Sequence, residues 1–442
     1  MRSEKTKRYL ILLLVGLLVL LAPLSYLRVL AGSGKLWQAD LDAAFSGSHI
    51  ITDRDGTELY NGDCLAPEVV GNLVGNEKDI NNSVYYRYMS DMTVGGFNPL
   101  VGRSSLKGTT LKTTLLPLKD QQEIQKLFGE HTGACFAYNY VTGEVYIALS
   151  LPCGLGEGLA EGSMFNGCLN GTYIPASTMK VLTTICALAQ DQNLAKFEHT
   201  CQKYYELPDG NVVVCHDYHG KLGLSDALGV SCNCYMAALI RQLDLNKAEK
   251  TLAQLGIVNE GVKPVNDEKR GIMDKLNYGL GRTKIEHFDR FQSVWGLIGQ
   301  GDTRANPVYM ALTAAAVANG GTVAQPWIMQ SIAECGTNVV YEASKANTME
   351  IIDNDTARLT KMIWELAVQD HYLDGKKPLS EAITLAKTGT AQEARGYNDR
   401  LLLGVMEKYH TAFFVIVEDS EDNNDLVFEV TNLLAEAVGK IG

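Results

Sequence analysis

The chain has 442 residues, 46% of them hydrophobic, which is enough for roughly two or three domains with sizeable cores and argues against a disordered protein. Lysine and arginine number 39 against 51 aspartates and glutamates. The resulting charge of −12 repels phosphate backbones, so a nucleic-acid partner is set aside.

From Tyr9 to Leu27 the chain runs for 19 residues without a charge. At about 1.5 Å per residue such a helix crosses the roughly 30 Å hydrocarbon layer of a bilayer. Arg2, Lys5, Lys7 and Arg8 precede it and only Arg28 and Lys35 follow closely. The positive-inside bias therefore makes residues 1–8 a cytoplasmic tail, 9–30 a single transmembrane anchor, and the rest extracytoplasmic. A cleaved signal peptide is the competing reading, with Val29-Leu30-Ala31 as a loose cleavage site, but the apolar stretch exceeds the roughly 7 to 15 residues of a signal core.

Residues 31–125 read as a short pedestal-like region of extended pieces and turns. HIITDRDGTELY (49–60) is a strand, an Asp-Gly turn and a strand, and GTTLKTTLLP (108–117) is another extended run. DQQEIQKLF (120–128) is a short amphipathic helix, and ACFAYNYVTGEVYIALSLP (134–152) is a buried β-hairpin turning at Thr142-Gly143. A glycine-rich loop (154–171) then leads to Pro175 and a helix whose buried stripe is Val181, Leu182, Ile185, Cys186, Leu188 and Ala189. Helices are predicted over 223–242 and 306–319, the second opened by Asn306-Pro307. ITLAKTGTAQ (383–392) and HTAFFVIVED (410–419) read as strands separated by a polar loop, and an amphipathic helix closes the chain at about 424–439. Strands at both ends of this region with helices between them give an α/β or α+β architecture, a mixed sheet covered by helices, over residues 126–442.

The 10 cysteines face an oxidising space and invite disulfides. Cys201 and Cys215 flank two strand-like arms around Pro208-Asp209-Gly210-Asn211, so a bridge across that hairpin is the favoured pairing. A zinc site drawn from Cys201, Cys215, His216, His219, Cys232 and Cys234 is the lesser alternative, because the spacing is not the paired CxxC of structural zinc domains. The two histidines are read as structural, and no metal or organic cofactor is expected.

Ser177-Thr178-Met179-Lys180 opens the helix after Pro175, where positions three apart are neighbours, so a hydroxyl and an amine share one face. Ser104-Ser105-Leu106-Lys107 has the same spacing but runs into Gly108-Thr109-Thr110, which holds a helix poorly. An acyl-transfer site needs an activated hydroxyl, a relay to the leaving atom and donors for the developing oxyanion. Ser231-Cys232-Asn233 lies 54 residues after Ser177, and Lys387-Thr388-Gly389 lies 156 residues further on; each is the only triplet of its kind. Each triplet alone is weak evidence, since Ser and Asn commonly cap helices and lysines commonly mark strand edges.

In this order SxxK, SxN and KTG resemble the three signatures of penicillin-binding proteins and serine β-lactamases. KTGTAQ (387–392), the 299–321 stretch, TGEVYIALSLP (142–152) and ITDRDGTELY (51–60) extend the likeness to the membrane-anchored, monofunctional class B penicillin-binding proteins. Two departures are Ala176, where the family usually has glycine, and a pedestal region that is short for the family. No room for a glycosyltransferase domain precedes the transpeptidase region, which argues against the bifunctional class.

The resemblance implies a D,D-transpeptidase that cross-links peptidoglycan stem peptides (D-Ala-D-Ala donor, amine acceptor), is acylated by β-lactams, and works beside a glycosyltransferase or wall-synthesis complex. It implies that Ser177 attacks the donor carbonyl with Lys180 unprotonated, burial and the second cation Lys387 both depressing that lysine's pKa. Ser231 would relay a proton to the leaving amine while Asn233 holds Lys180 and the substrate backbone. Lys387, Thr388 and Thr390 would bind the donor carboxylate, Gly389 would let substrate approach the strand, and the N–H groups of Ser177 and Thr390 would form the oxyanion hole. Cys232 is expected to point into the core. A β-lactam hydrolase or sensor using the same serine, and a scaffold with vestigial chemistry, remain the rivals.

Overall fold

The computed structural model describes residues 49–74, 109–153, 166–260, 278–286, 290–334, 337–343, 346–371, 379–392, 398–420 and 425–441. The expected anchor and the Ser104–Lys107 pair lie outside these residues. Among the described residues no helix is long and apolar enough to cross a membrane.

At the N-terminal end, β1 (Ile50–Thr52) and β2 (Glu58–Tyr60) form the expected antiparallel pair. The Asp53 carboxylate accepts the Asp55 and Thr57 N–H groups across the turn, which is how an Asp-Gly turn closes on itself. After α1 (Pro67–Val74), β3 (Thr109–Thr113) runs parallel to β1. Helix α2 (Leu118–Phe128) then leads into the central sheet through β4 (Gly133–Asn139) and β5 (Val145–Leu151).

The middle of the chain supplies the helical side of the molecule. A 3₁₀ turn at Ala176–Thr178 runs into α3 (Met179–Gln190), and two small hairpin-like ladders follow: β6 (His199–Cys201) with β9 (Gly220–Leu222), and β7 (Tyr204–Glu206) with β8 (Val212–Val214). Next come α4 (Leu224–Gly229), α5 (Asn233–Ile240) and α6 (Leu245–Gln254). The single helix expected over 223–242 is therefore broken, and the break falls at Ser231, whose φ is +56°. Strands β10 (Ile257–Asn259) and β11 (Gly281–Thr283) and helices α7 (Arg290–Ile298) and α8 (Pro307–Ala318) complete this part; the Asn306 side chain caps α8 by accepting from Val308 N.

Strand β12 (Thr322–Ala324) pairs with β15 (Thr348–Glu350), while β13 (Met329–Glu334) and β14 (Asn338–Glu342) extend the N-terminal sheet in the order β14-β13-β3-β1-β2. Helix α9 (Asn354–His371) precedes β16 (Leu385–Gln392), β17 (Asn398–Met406), β18 (Thr411–Val417) and α10 (Asp425–Gly439). The central sheet is antiparallel throughout, in the order β16-β17-β18-β4-β5. Its β17 corrects the sequence reading, which has a polar loop between two strands.

Every residue of β4 and β18 is buried. Such strands are covered on both faces and carry unbroken apolar runs in place of alternation. Helix α8 packs on β4, β17 and β18, and α10 packs on β17, β18 and α2. Strand β16 is left at the sheet edge, with α9 beside it and the 3₁₀ turn of Ser177 against it. The buried Trp364 of α9 locks this arrangement by donating Nε1–H to Ala386 O at 2.8 Å, one residue before Lys387.

Candidate active site

Helix α3 is apolar nearly all round and buried at ten of its twelve positions, the mark of a central helix. Lys180 is one of those ten and is 0% exposed, as is Lys387. A lysine in such a place needs partners or must lose its proton, because an uncompensated ammonium in a dry interior is costly. Both answers are present. Lys180 Nζ lies 3.0 Å from Ser177 Oγ, 2.6 Å from Ser231 O, 3.1 Å from Ser231 Oγ and 2.7 Å from Asn233 Oδ1. Burial, and then the charge of Lys387, pull its pKa down from 10.5 to about 7. Near neutral pH a large share of this amine is unprotonated, with a lone pair within hydrogen-bond reach of the Ser177 hydroxyl.

The break between α4 and α5 explains how Ser231 and Asn233 reach that lysine. With φ at +56°, Ser231 adopts a left-handed conformation that costs a non-glycine residue strain and recurs at functional turns. Its hydroxyl sits between the two amines, 3.1 Å from Lys180 Nζ and 3.2 Å from Lys387 Nζ. Asn233 is the first residue of α5; its Nδ2 donates to Val214 O at 3.1 Å, which turns Oδ1 toward Lys180. The cap of α5 is neither Ser231 nor Asn233. Cys232 Sγ accepts Tyr235 N–H at 3.4 Å, and this side chain is wholly buried, as expected.

Lys387 is carried on the edge strand β16, with Nζ donating also to Thr388 O at 3.0 Å. Thr390 O accepts from Gln300 Nε2 at 3.4 Å, away from β17. A residue's N–H and C=O point to the same edge of an extended strand, so the Thr390 N–H also faces the cleft. Gly389 is also closely packed against the turn that carries Ser177. A Cβ there would lie 3.1 Å from Pro175 O, 3.2 Å from Thr178 Cγ2 and 3.3 Å from Ala176 Cβ, so its missing side chain admits the Ser177 turn behind the strand. All eight predicted residues therefore converge on one region, and Ser177, Ser231, Asn233, Thr388, Gly389 and Thr390 line a cleft of about 600 Å³.

Sequence reasoning missed other walls of this cleft. Trp295 of α7 and Gln300 line it, as does His216, for which the sequence suggests only a structural part. Arg400 Nη1 donates to Thr390 Oγ1 at 2.8 Å, bringing a third cation to the strand end. Its signal was lost because Arg400 lies on β17, the strand read as loop. The expected Cys201–Cys215 bridge is also corrected: both cysteines are free thiols, although the β7–β8 hairpin between them forms with its turn at Gly210, φ +83°.

The three-motif cleft at the edge of an antiparallel sheet has the architecture of an acyl-transferring serine enzyme. The profile of the penicillin binding protein transpeptidase domain matches residues 133–435, and the chain belongs to that family. It is similar to the peptidoglycan D,D-transpeptidase MrdA of Acinetobacter baumannii, 22% identical over 249 residues that cover 54% of this chain and 36% of that protein. The chain thus spans little more than a third of that relative. Among solved structures, the D,D-transpeptidase domain of a peptidoglycan glycosyltransferase from Eggerthella lenta superposes with a TM-score of 0.72 at 18% identity, covering 90% of this chain and 99% of that one. A ceftriaxone acyl-enzyme complex of penicillin-binding protein A from M. tuberculosis superposes with a TM-score of 0.68, also at 18% identity, with coverage of 90% and 99%.

Proposed function

We propose that this chain is a peptidoglycan D,D-transpeptidase in which Ser177 is the nucleophile and Lys180 its base. The observation that carries the reading is the wholly buried Lys180 amine, held within 3.0 Å of Ser177 Oγ with its pKa near 7. A serine hydroxyl is a poor nucleophile until a base takes its proton, and a base poised near the working pH does this best.

In the first half-reaction Ser177 Oγ attacks the carbonyl of the penultimate D-alanine while its proton passes to the neutral Lys180. The tetrahedral oxyanion is received by the N–H groups of Ser177 and Thr390. As the peptide C–N bond breaks, the Lys180 proton reaches the leaving nitrogen through the Ser231 hydroxyl, which touches both amines. Terminal D-alanine departs and an ester on Ser177 remains. In the second half-reaction an acceptor amine attacks the ester, loses its proton to Lys180 along the same route, and the Ser177 hydroxyl is restored. Lys387, Thr388 and Thr390 hold the donor carboxylate by charge-assisted hydrogen bonds, and Asn233 fixes Lys180 and the substrate backbone.

A β-lactam enters the same path, but its leaving nitrogen stays tethered in the opened ring, so the acyl-enzyme persists. Residues 9–30 anchor the chain with its catalytic domain outside the cytoplasm, residues 31–125 form a pedestal, and a glycosyltransferase or wall-synthesis complex supplies the glycan strand.

The test is acylation of the purified chain by a fluorescent penicillin, with the adduct followed in time. Labelling that lasts many minutes and is lost in Ser177→Ala supports the reading; an adduct shed within seconds contradicts it and indicates a hydrolase. Full rescue by Ser177→Ala of cells lacking the native copy would instead establish a scaffold.

A further inference from the structure

We propose that Cys201, Cys215, His219 and Cys232 form a four-ligand site for a borderline-soft divalent cation, Zn²⁺ foremost, that clamps the turn bearing Ser231 and Asn233. The site goes beyond the transpeptidase reading and stands whether or not that reading holds.

The four side chains come from the end of β6, the residue after β8, the loop before β9 and the start of α5, and their ligand atoms all lie within 4.8 Å of one another. Cys215 Sγ is 3.9 Å from Cys232 Sγ and 3.5 Å from His219 Nδ1, and Cys201 Sγ is 3.6 Å from His219 Nδ1. A tetrahedral zinc ion with Zn–S near 2.3 Å and Zn–N near 2.05 Å separates its ligands by about 3.8 Å for two sulfurs and about 3.6 Å for sulfur and nitrogen. The three spacings above match these values, and the remaining pairs lie within 4.8 Å. They do not match a disulfide, whose sulfurs lie about 2.05 Å apart.

The chemistry of the set agrees with its geometry. Three thiolates and one imidazole complete a tetrahedron and leave no open position, the pattern of structural zinc and not of a catalytic ion. The three cysteines are at most 1% exposed, so the ion would be shielded from water on the sulfur side. Cys232 Sγ already accepts the Tyr235 N–H at the start of α5, so this sulfur is fixed in position by the helix it caps. Two neighbours fall outside the group whose ligand atoms all lie mutually within 4.8 Å: Cys234, whose Sγ donates to Val213 O at 3.7 Å, and His216, whose Nδ1 approaches Cys215 Sγ at 3.8 Å.

The consequence for the cleft follows from chain connectivity. Cys232 sits between Ser231 and Asn233, and Asn233 Nδ2 is bonded to Val214 O, next to Cys215. A metal bonded to both Cys215 and Cys232 would fasten these two segments together and hold the left-handed turn at Ser231 against the lysines. The four ligands are thus positioning residues, acting through Ser231 and Asn233.

The test is metal analysis of the purified full chain, followed by chelation and reloading with Zn²⁺ or Co²⁺. We expect one zinc per chain, a Co²⁺ form with tetrahedral d–d bands and thiolate-to-cobalt charge transfer, and a fall in thermal midpoint on chelation. Cys201→Ser and His219→Ala should each weaken zinc at least about tenfold, while Cys234→Ser keeps it. Wild-type chain that takes up no zinc and yields a Cys201–Cys215 disulfide on peptide mapping would overturn the proposal. So would zinc retained at full affinity by Cys201→Ser, or lost equally from Cys234→Ser. None of these readouts depends on acylation, so the site and the proposed activity fail or succeed separately.

Discussion

Two amines and two hydroxyls share a space a few ångströms across, and the protonation of Lys180 decides what they can do. Its pKa is lowered to about 7, first by burial and then by Lys387. The rate of acylation should therefore rise with pH through about 7 and level off above, falling about tenfold for each unit below. Lys387→Gln removes the second cation and should move this midpoint upward, while burial keeps it below an ordinary lysine. Stopped-flow acylation across the neutral range would show both effects, and a flat profile would contradict them. Linkage gives the matching sign for stability. The unfolded chain holds the Lys180 proton up to about 10.5 while the folded chain releases it near 7, so between these values this residue makes the fold more stable as pH rises. At Ala176 the balance is different. Its φ of +47° costs about 1–2 kcal/mol for a residue with a Cβ, but its methyl is wholly buried, worth about 0.8 kcal/mol, and glycine would lose a further 0.5–1 kcal/mol of chain entropy. These nearly cancel, which accounts for alanine where the family usually has glycine. Ala176→Gly should shift stability by less than about 1 kcal/mol in urea unfolding, and a loss well beyond that would refute the ledger.

Among the elements, the edge strand β16 matters most because it is held from behind and reads the cleft in front. Gly389→Ala places a methyl 3.1–3.3 Å from three atoms of the Ser177 turn, so strand and turn must separate by a few tenths of an ångström. Acylation should slow by about tenfold or more with little change in the thermal midpoint, since displacements of this order disturb reacting geometry before they disturb the core. Unchanged acylation would mean that the turn yields freely. Much of this level was legible in the sequence: the hairpin over 134–152, the capped helix at Asn306-Pro307 and the strand carrying Lys387 announce themselves by period and punctuation. Two elements did not. Leu401 to Met406 is an apolar run interrupted only by Gly404, which periodicity cannot assign, and the polar Asn398-Asp399-Arg400 ahead of it reads as loop. The break at Ser231 has one weak local mark, Gly229 at the end of α4, and no proline; what holds the left-handed turn is its contacts to two lysines from distant segments.

For the whole molecule, the cleft exists because the antiparallel sheet returns β16 and β17 to β4 through β18, after more than two hundred residues of intervening chain. Three segments that sequence spacing cannot bring together, around Ser177, Ser231 and Lys387, meet at that edge. The residue types of the site were readable from three short motifs, but their distances were not. The cysteines mark the same boundary: a hairpin with a sulfur at each end suggests a bridge, and only the arrival of His219 and Cys232 from other elements turns the pair into a possible coordination sphere. The central claim is that one hydroxyl, that of Ser177, is the acylated group. Intact-mass measurement after brief exposure to penicillin, followed by peptide mapping, tests it most directly. A single penicilloyl adduct on the peptide containing Ser177, abolished in Ser177→Ala, is the predicted result; an adduct on another residue, or an undiminished adduct in that variant, would contradict the account.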